Sequence, residues 1–266
     1  MLNGSLPMID AHIHLDLYNP ADAQQIMDEC QSCGIKRVIA VSMNLASSLV
    51  NQEWLQRYPE QVKVAYGFHP EQKLPSEAEC QQLFDWINQH QTEMIAIGEV
   101  GLPYYTQLEA KNNGQAFSQK PYIQLLERFV QIADLYQKPI ILHAVYEDAE
   151  IACDLLEQYN VTKAHFHWFK GSEETTRRMS RNGYYISVTP DVVYETEIQQ
   201  LVRQYPLEQM MVETDGPWPF EGPFTGQITH PSMMKESCAV IASMKGLSIE
   251  ETASILYQNT KRFYGV

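Results

Sequence analysis

The feature that most constrains this 266-residue chain is a repeated alternation of short apolar runs with longer amphipathic ones. Met8 to Ile13 is the first strand-like run, and Pro20 opens a helical stretch that reaches Gly34. Lys36 to Val41 reads as a strand, Leu45 to Tyr58 as a helix, Val62 to Tyr66 as a strand and Ser76 to His90 as a helix. Further strands are expected at Met94 to Ile97, Pro139 to Leu142, Lys163 to Phe166, Tyr184 to Val188 and Gln209 to Val212. Helices are expected between them: one with a face of Tyr122, Leu125, Leu126, Phe129, Val130 and Ala133, then Asp148 to Gln158, Glu173 to Arg181 and Glu195 to Tyr205. Two more start at Ser232 and Ser248, while Gly101 to Gln119 reads as a polar, irregular active-site loop. Eight strand–helix units predict an α/β fold, a (β/α)8 TIM barrel formed as one domain over residues 1–266. An open doubly wound sheet is the rival, but it calls for a glycine-rich turn after the first strand, where this chain has His12-Ile13-His14.

Chemistry in such a barrel sits at the C-terminal strand ends. His12 and His14 lie two apart, on one face of a strand. The fourth, fifth, sixth and eighth strands run into Glu99, His143, His167 and Asp215. Four imidazoles and two carboxylates exceed what one tetrahedral metal takes, and they suit two metals bridged by a carboxylate, for which Glu99 is the natural candidate. His165 shares a face with His167, so either can be the ligand on this reading. The rival is that these are merely solvated polar groups at a barrel mouth, which requires five strand ends to carry ligand types by coincidence.

Composition narrows the function classes. A formal net charge of −14 gives no sign of an extended basic face for nucleic acid, so a phosphate substrate has to be attracted locally. No apolar run approaches a membrane span, and Met1 to Ser5 lack the pattern of a signal peptide. Five cysteines without a disulfide framework suit a reducing cytoplasm, and Cys30-x-x-Cys33 reads as packing. No linker or repeat points to an obligate protein partner.

The stretches IDAHIHLD (9–16), GFHP (67–70), IGEVGL (97–102), PIILH (139–143), HFHWFKG (165–171), ETDGP (213–217) and NTKRFYG (259–265) together resemble the TatD family of metal-dependent hydrolases, in the family's order and over nearly the whole chain. The resemblance implies two divalent metals (Zn, Mn, Mg or Co) and phosphodiester hydrolysis, often as a deoxyribonuclease. It assigns His12, His14, Glu99 and Asp215 to one metal, and Glu99, His143 and His167 to the other. It leaves His165 as a supporting or core residue and gives Glu213 a role in orienting ligands. His69 is a candidate substrate contact, with a satisfied turn histidine as the equal alternative. On this reading the nucleophile is a hydroxide bridging the metals, with Asp215 orienting the water and taking its proton. Three positions depart from the family pattern: Val145 stands where an arginine is usual, Pro103 where an aspartate is, and His230 where a glutamate is. The substrate is therefore expected to be a small ester, a nucleotide or DNA. A lactonase or amidase, and a catalytically silent metal-binding scaffold, are the alternative readings.

Overall fold

The computed structural model describes residues 6–266. Eight strands form one parallel sheet in sequence order: β1 (Met8–Ile13), β2 (Ile35–Val41), β3 (Val62–Tyr66), β4 (Ala96–Gly101), β5 (Ile140–His143), β6 (Ala164–Phe166), β7 (Tyr185–Val188) and β8 (Met210–Val212). Helices α1 (Pro20–Cys33), α2 (Leu45–Arg57), α3 (Glu77–Gln89), α4 (Tyr104–Asn112), α5 (Lys120–Tyr136), α6 (Glu147–Gln158), α7 (Glu173–Arg181), α8 (Thr196–Gln204), α9 (Met234–Lys245) and α10 (Ile249–Tyr264) follow the strands. This is the TIM-barrel architecture expected from the alternation. Beyond the strand ends, the His14 N–H donates to the Gly216 carbonyl (2.8 Å) and the Asp215 N–H to the His12 carbonyl (2.9 Å), so the first and last strands are tied together at the mouth.

The sheet separates two apolar layers. Its outer face and the helices share the large core, including Met8, Val38, Val64, Leu142, Phe166 and Met210. The barrel interior holds Ile9, Ala11, Ile39, Val41, Ala65, Ala96, Ile141 and Met211, closed from below by Phe263 and Tyr264 of α10. The face of α5 predicted from periodicity is the face it buries. Ser76 and Ser248 cap α3 and α10 with reciprocal Ser–Glu capping boxes, which satisfies otherwise unpaired helix N–H groups.

Two strands depart from strict alternation. On β1, Ile9 and Ala11 point inward, yet Met8 and Ile13, an odd step apart, both point outward; the ladder slips between Asp10 and Ile13. On β4, Ile97 and Val100 both point outward, across a slip between those residues. A bulge changes the parity of a strand and re-aims the side chains beyond it. Here the slips turn His12 and Glu99 into the mouth.

The segment 101–119 corrects the expectation of an irregular loop, because it contains α4. Pro103 gives α4 no side-chain cap of its own. Its free N–H groups are met by a carboxylate from elsewhere: Glu71 accepts from Tyr105 N (2.9 Å), Thr106 N (2.7 Å) and the Thr106 hydroxyl (2.5 Å). The fourth strand also starts later than expected and runs through Glu99 to Gly101. His90 ends α3 half-buried, stacked 3.8 Å from the Trp86 ring and 2.6 Å from Glu93. Cys30 and Cys33 are free thiols, and Cys30 packs in the core.

Candidate metal centre

Six side chains from five strands converge at the mouth around one carboxylate. Glu99 Oε2 lies 3.2 Å from both His12 Nε2 and His14 Nε2. Glu99 Oε1 lies 2.7 Å from His167 Nε2, 3.1 Å from His143 Nδ1 and 3.4 Å from His69 Nε2. Asp215 Oδ1 completes the first group at 3.2 Å from His12 Nε2 and 3.4 Å from His14 Nε2. Each oxygen of Glu99 thus faces a different set of imidazoles. Glu99 and His12 are fully buried, and His14, His143, His167 and Asp215 are nearly so.

The donor set suits cations better than hydrogen bonds. His12 Nε2 and His14 Nε2 face each other at 3.4 Å, and His143 Nδ1 and His167 Nε2 at 3.1 Å. Two such ring nitrogens, both as lone pairs or both as N–H groups, repel across these distances. Buried Glu99 Oε2 and Asp215 Oδ1 have no aligned hydrogen-bond donor. The groups within reach of one shared ion are His12, His14 and Asp215; His12, Glu99 and His167; and His69, Glu99 and His143. Histidine nitrogens and carboxylates are the ligand types that zinc and similar divalent metals take.

The electrostatics agree. Burial alone lowers an imidazole pKa, but the carboxylates outweigh it: Glu99 and Asp215 hold His14 up to about 9 and His12 well above its usual value. His143 is likewise raised to about 9, against burial, by Glu71 and Glu99. Burial works against ionised Glu99 and Asp215 as well, yet the surrounding histidines hold both below the usual carboxylate range. The buried carboxylates thus make the site stabilise positive charge, in the same sense as the acidic chain as a whole.

Behind this cluster runs a buried chain of hydrogen bonds. Ser187 Oγ donates to Glu213, whose other oxygen accepts from the Trp168 N–H at 2.8 Å and lies 3.8 Å from His167 Nδ1. His165 Nε2 lies 2.5 Å from Ser187 Oγ and therefore carries the proton, which leaves Nδ1 to accept from the Tyr264 hydroxyl at 2.7 Å. His165 thus sits in the barrel interior, with both nitrogens engaged away from the cluster. Nothing in the sequence singles out Ser187 or Tyr264. The NTKRFYG stretch contains Tyr264, but no local signal marks a partner 99 positions away.

A family model described as TatD related DNase matches residues 9–265. The chain belongs to the TatD family. An uncharacterized metal-dependent hydrolase of Haemophilus influenzae is 37% identical over 260 residues, covering 97% of this chain and 99% of its own. A human protein named deoxyribonuclease TATDN3 is 25% identical over 97% of this chain and 94% of its own. The crystal structure of YJJV, a TatD homolog from Escherichia coli, superposes with a TM-score of 0.84 at 22% identity, covering 99% of this chain and all 100% of that one. The chain is therefore a metal-dependent hydrolase by family.

Val145, Pro103 and His230, the positions expected to depart from the TatD pattern, each have a defined local setting. Val145 is buried, 3% exposed, in a loop where the Tyr146 N–H donates to the Lys170 carbonyl at 2.6 Å. Pro103 leads directly into α4. His230 Nδ1 accepts from the Ser232 N–H at 3.0 Å and caps a short turn ahead of α9. Asp215 has a φ of 49°, in the left-handed region that aspartate tolerates better than most residues. Among the described residues, no helix is long and apolar enough to cross a membrane.

Proposed function

We propose that this TatD-family hydrolase cleaves phosphodiesters, with nucleotide or short DNA substrates, using two divalent metals bound at the mouth of a single barrel domain spanning the chain. The observation that carries this reading is the divided environment of Glu99, one oxygen among His12 and His14 and the other among His143 and His167. In this assignment His12, His14, Glu99 and Asp215 hold one ion, and Glu99, His143 and His167 the other. Such ions, which can be Zn²⁺, Mn²⁺, Mg²⁺ or Co²⁺, supply Lewis acidity toward a phosphoryl oxygen and activate water near neutral pH. The carboxylate of Asp215 orients the attacking water and takes its proton. His69, 3.4 Å from Glu99 and only partly exposed, contacts the substrate from the rim. Glu213 steadies His167 from behind, and His165 supports Glu213 through Ser187. The five free cysteines are consistent with a cytoplasmic setting.

A lactonase or amidase is the second reading, favoured by the buried apolar Val145 where an arginine would grip a phosphate. The test is a substrate panel on metal-loaded protein. The phosphodiesterase reading expects bis(p-nitrophenyl) phosphate and dinucleotides to be hydrolysed faster than γ-lactones or p-nitrophenyl acetate. The reverse order supports the second reading, and turnover of none of them a silent scaffold.

A further inference from the structure

The loops leaving the strand ends are short of cations. Residues 14–19, 42–44, 67–76, 102–103, 144–146, 167–172, 189–195 and 213–233 contain two Lys or Arg residues, Lys73 and Lys170. Lys73 is exposed, and its charge acts on Glu79. Lys170 is different. It is half-buried, with Nζ 5.9 Å from the centre of the Trp168 ring, and its charge acts on the buried Asp191 carboxylate beside that ring without a direct ion pair among the described residues. In a chain with 33 acidic and 19 basic residues, an ammonium three residues beyond His167, held over an indole instead of in direct contact with a carboxylate, needs an explanation.

The platform beneath it is anchored by hydrogen bonds at both Trp168 nitrogens. Trp168 directly follows His167, and its indole N–H donates to Asp191 at 2.6 Å while its backbone N–H donates to Glu213 at 2.8 Å. Its ring is flanked by Trp218 at 6.0 Å and Phe220 at 5.7 Å between centroids. The Lys170 carbonyl is tied to Tyr146 N at 2.6 Å, which sets this loop against the one leaving β5. Trp218, by contrast, is 60% exposed, a large apolar ring left open at the rim. An ammonium and an exposed indole that both neighbour the Trp168 ring match the two recognisable parts of a nucleotide, its phosphate and its base.

We infer that Lys170 and Trp218 form a subsite for the nucleotide flanking the bond to be cut, with Lys170 taking its phosphate and Trp218 stacking on its base. The inference rests on the phosphodiesterase reading for its biological sense, but binding, read on mixing before turnover, tests it separately. Lys170 is a specificity-determining contact here, and a single cation with a stacking ring favours short substrates over long polyanions, whose binding draws on several cationic contacts.

The test uses the full-length, metal-loaded protein with 5′-phosphorylated dithymidylate. Tryptophan fluorescence reports binding, and steady-state hydrolysis is measured alongside with bis(p-nitrophenyl) phosphate as the comparison. Lys170→Ala is expected to weaken dinucleotide binding roughly tenfold, the scale of one charge-assisted contact. KM for the dinucleotide should rise more than KM for bis(p-nitrophenyl) phosphate, Lys170→Arg should restore most of the loss, and metal content should stay at the wild-type level. Trp218→Ala should weaken binding and remove most of the fluorescence change. Binding that depends on Lys170 without hydrolysis would uphold the subsite while overturning the phosphodiesterase reading. Hydrolysis with equal KM in wild type and Lys170→Ala would overturn the subsite and leave that reading standing. No dinucleotide binding by the wild type would overturn the subsite outright.

Discussion

The hydroxyl of Tyr264, in the last turn of the C-terminal helix, donates to His165 Nδ1 at 2.7 Å inside the barrel. Through Ser187 and Glu213 this bond connects the floor of the barrel to His167 at its mouth. Burial, together with the nearby His12 and His167 charges, keeps His165 well below its usual pKa, so it stays neutral in the fold. The unfolded chain takes up a proton at this residue below about pH 6.5, and the native state does not. Stability from His165 is therefore present above that pH and lost as pH falls.

That sign gives the first expected outcome. His165→Gln should flatten the fall in stability below pH 6.5, relative to wild type, by up to about 1.4 kcal/mol per pH unit. Metal-free thermal or urea unfolding between pH 5 and 7.5 measures it. Parallel curves for the two proteins would mean that His165 is already protonated in the fold.

Glu71 is the cap that α4 lacks locally. Glu71→Ala should cost about 1 kcal/mol, the usual loss for a helix cap. It should also speed proteolytic nicking between Tyr104 and Asn112. Glu71→Gln, whose amide oxygen still accepts, should lie between. Unchanged nicking in Glu71→Ala would show that α4 is held by its packing alone.

Val145→Arg tests the position where the family's usual arginine is missing. With Val145 only 3% exposed, the new guanidinium must either be buried or push the loop from Lys170. Burying a charge without a partner is unfavourable by several kcal/mol. The variant should lose several degrees of Tm without gaining cleavage of long DNA. A stable variant with raised kcat/KM on long single-stranded DNA would show that the arginine reaches the mouth after all.

How much of this is legible in the sequence depends on how local each cause is. His143 ends β5 and His167 directly follows β6, both regularly alternating, so the inward positions of Ile141 and His165 foretell theirs. His12 and Glu99 sit just past ladder slips, and plain alternation from Ile9 or Ala96 would turn them outward; their ligand chemistry, not their period, betrays them. The helix α4 is hidden because its cap comes from Glu71, 34 and 35 residues away. The order of the motifs carries the family, whereas Trp168 and Lys170 lie inside HFHWFKG with no role that the motif alone reveals. Counting cations in the strand-end loops is the signal that finds Lys170.

Asp215→Asn separates chemistry from folding. An amide is a poorer metal ligand and cannot take a proton from water, so kcat should fall by orders of magnitude. The side chain is buried beside His12 and His14 at the mouth rather than in the apolar layers, so the variant should still fold, and its loss of Tm should be smaller in metal-loaded than in metal-free protein. Near-normal kcat with saturating metal would remove Asp215 from the proposed role.

The most direct test of a Glu99 shared between two metals is stoichiometry read together with activity. Protein exhaustively treated with chelator should hydrolyse no phosphodiester. Titration with Mn²⁺ or Zn²⁺ should restore activity as the bound metal approaches two ions per chain, and Glu99→Gln should break both the stoichiometry and the recovery. Full hydrolysis by protein shown to be metal-free, or full activity at a single bound ion with Glu99→Gln unaffected, would contradict the claim that Glu99 is shared between two metals.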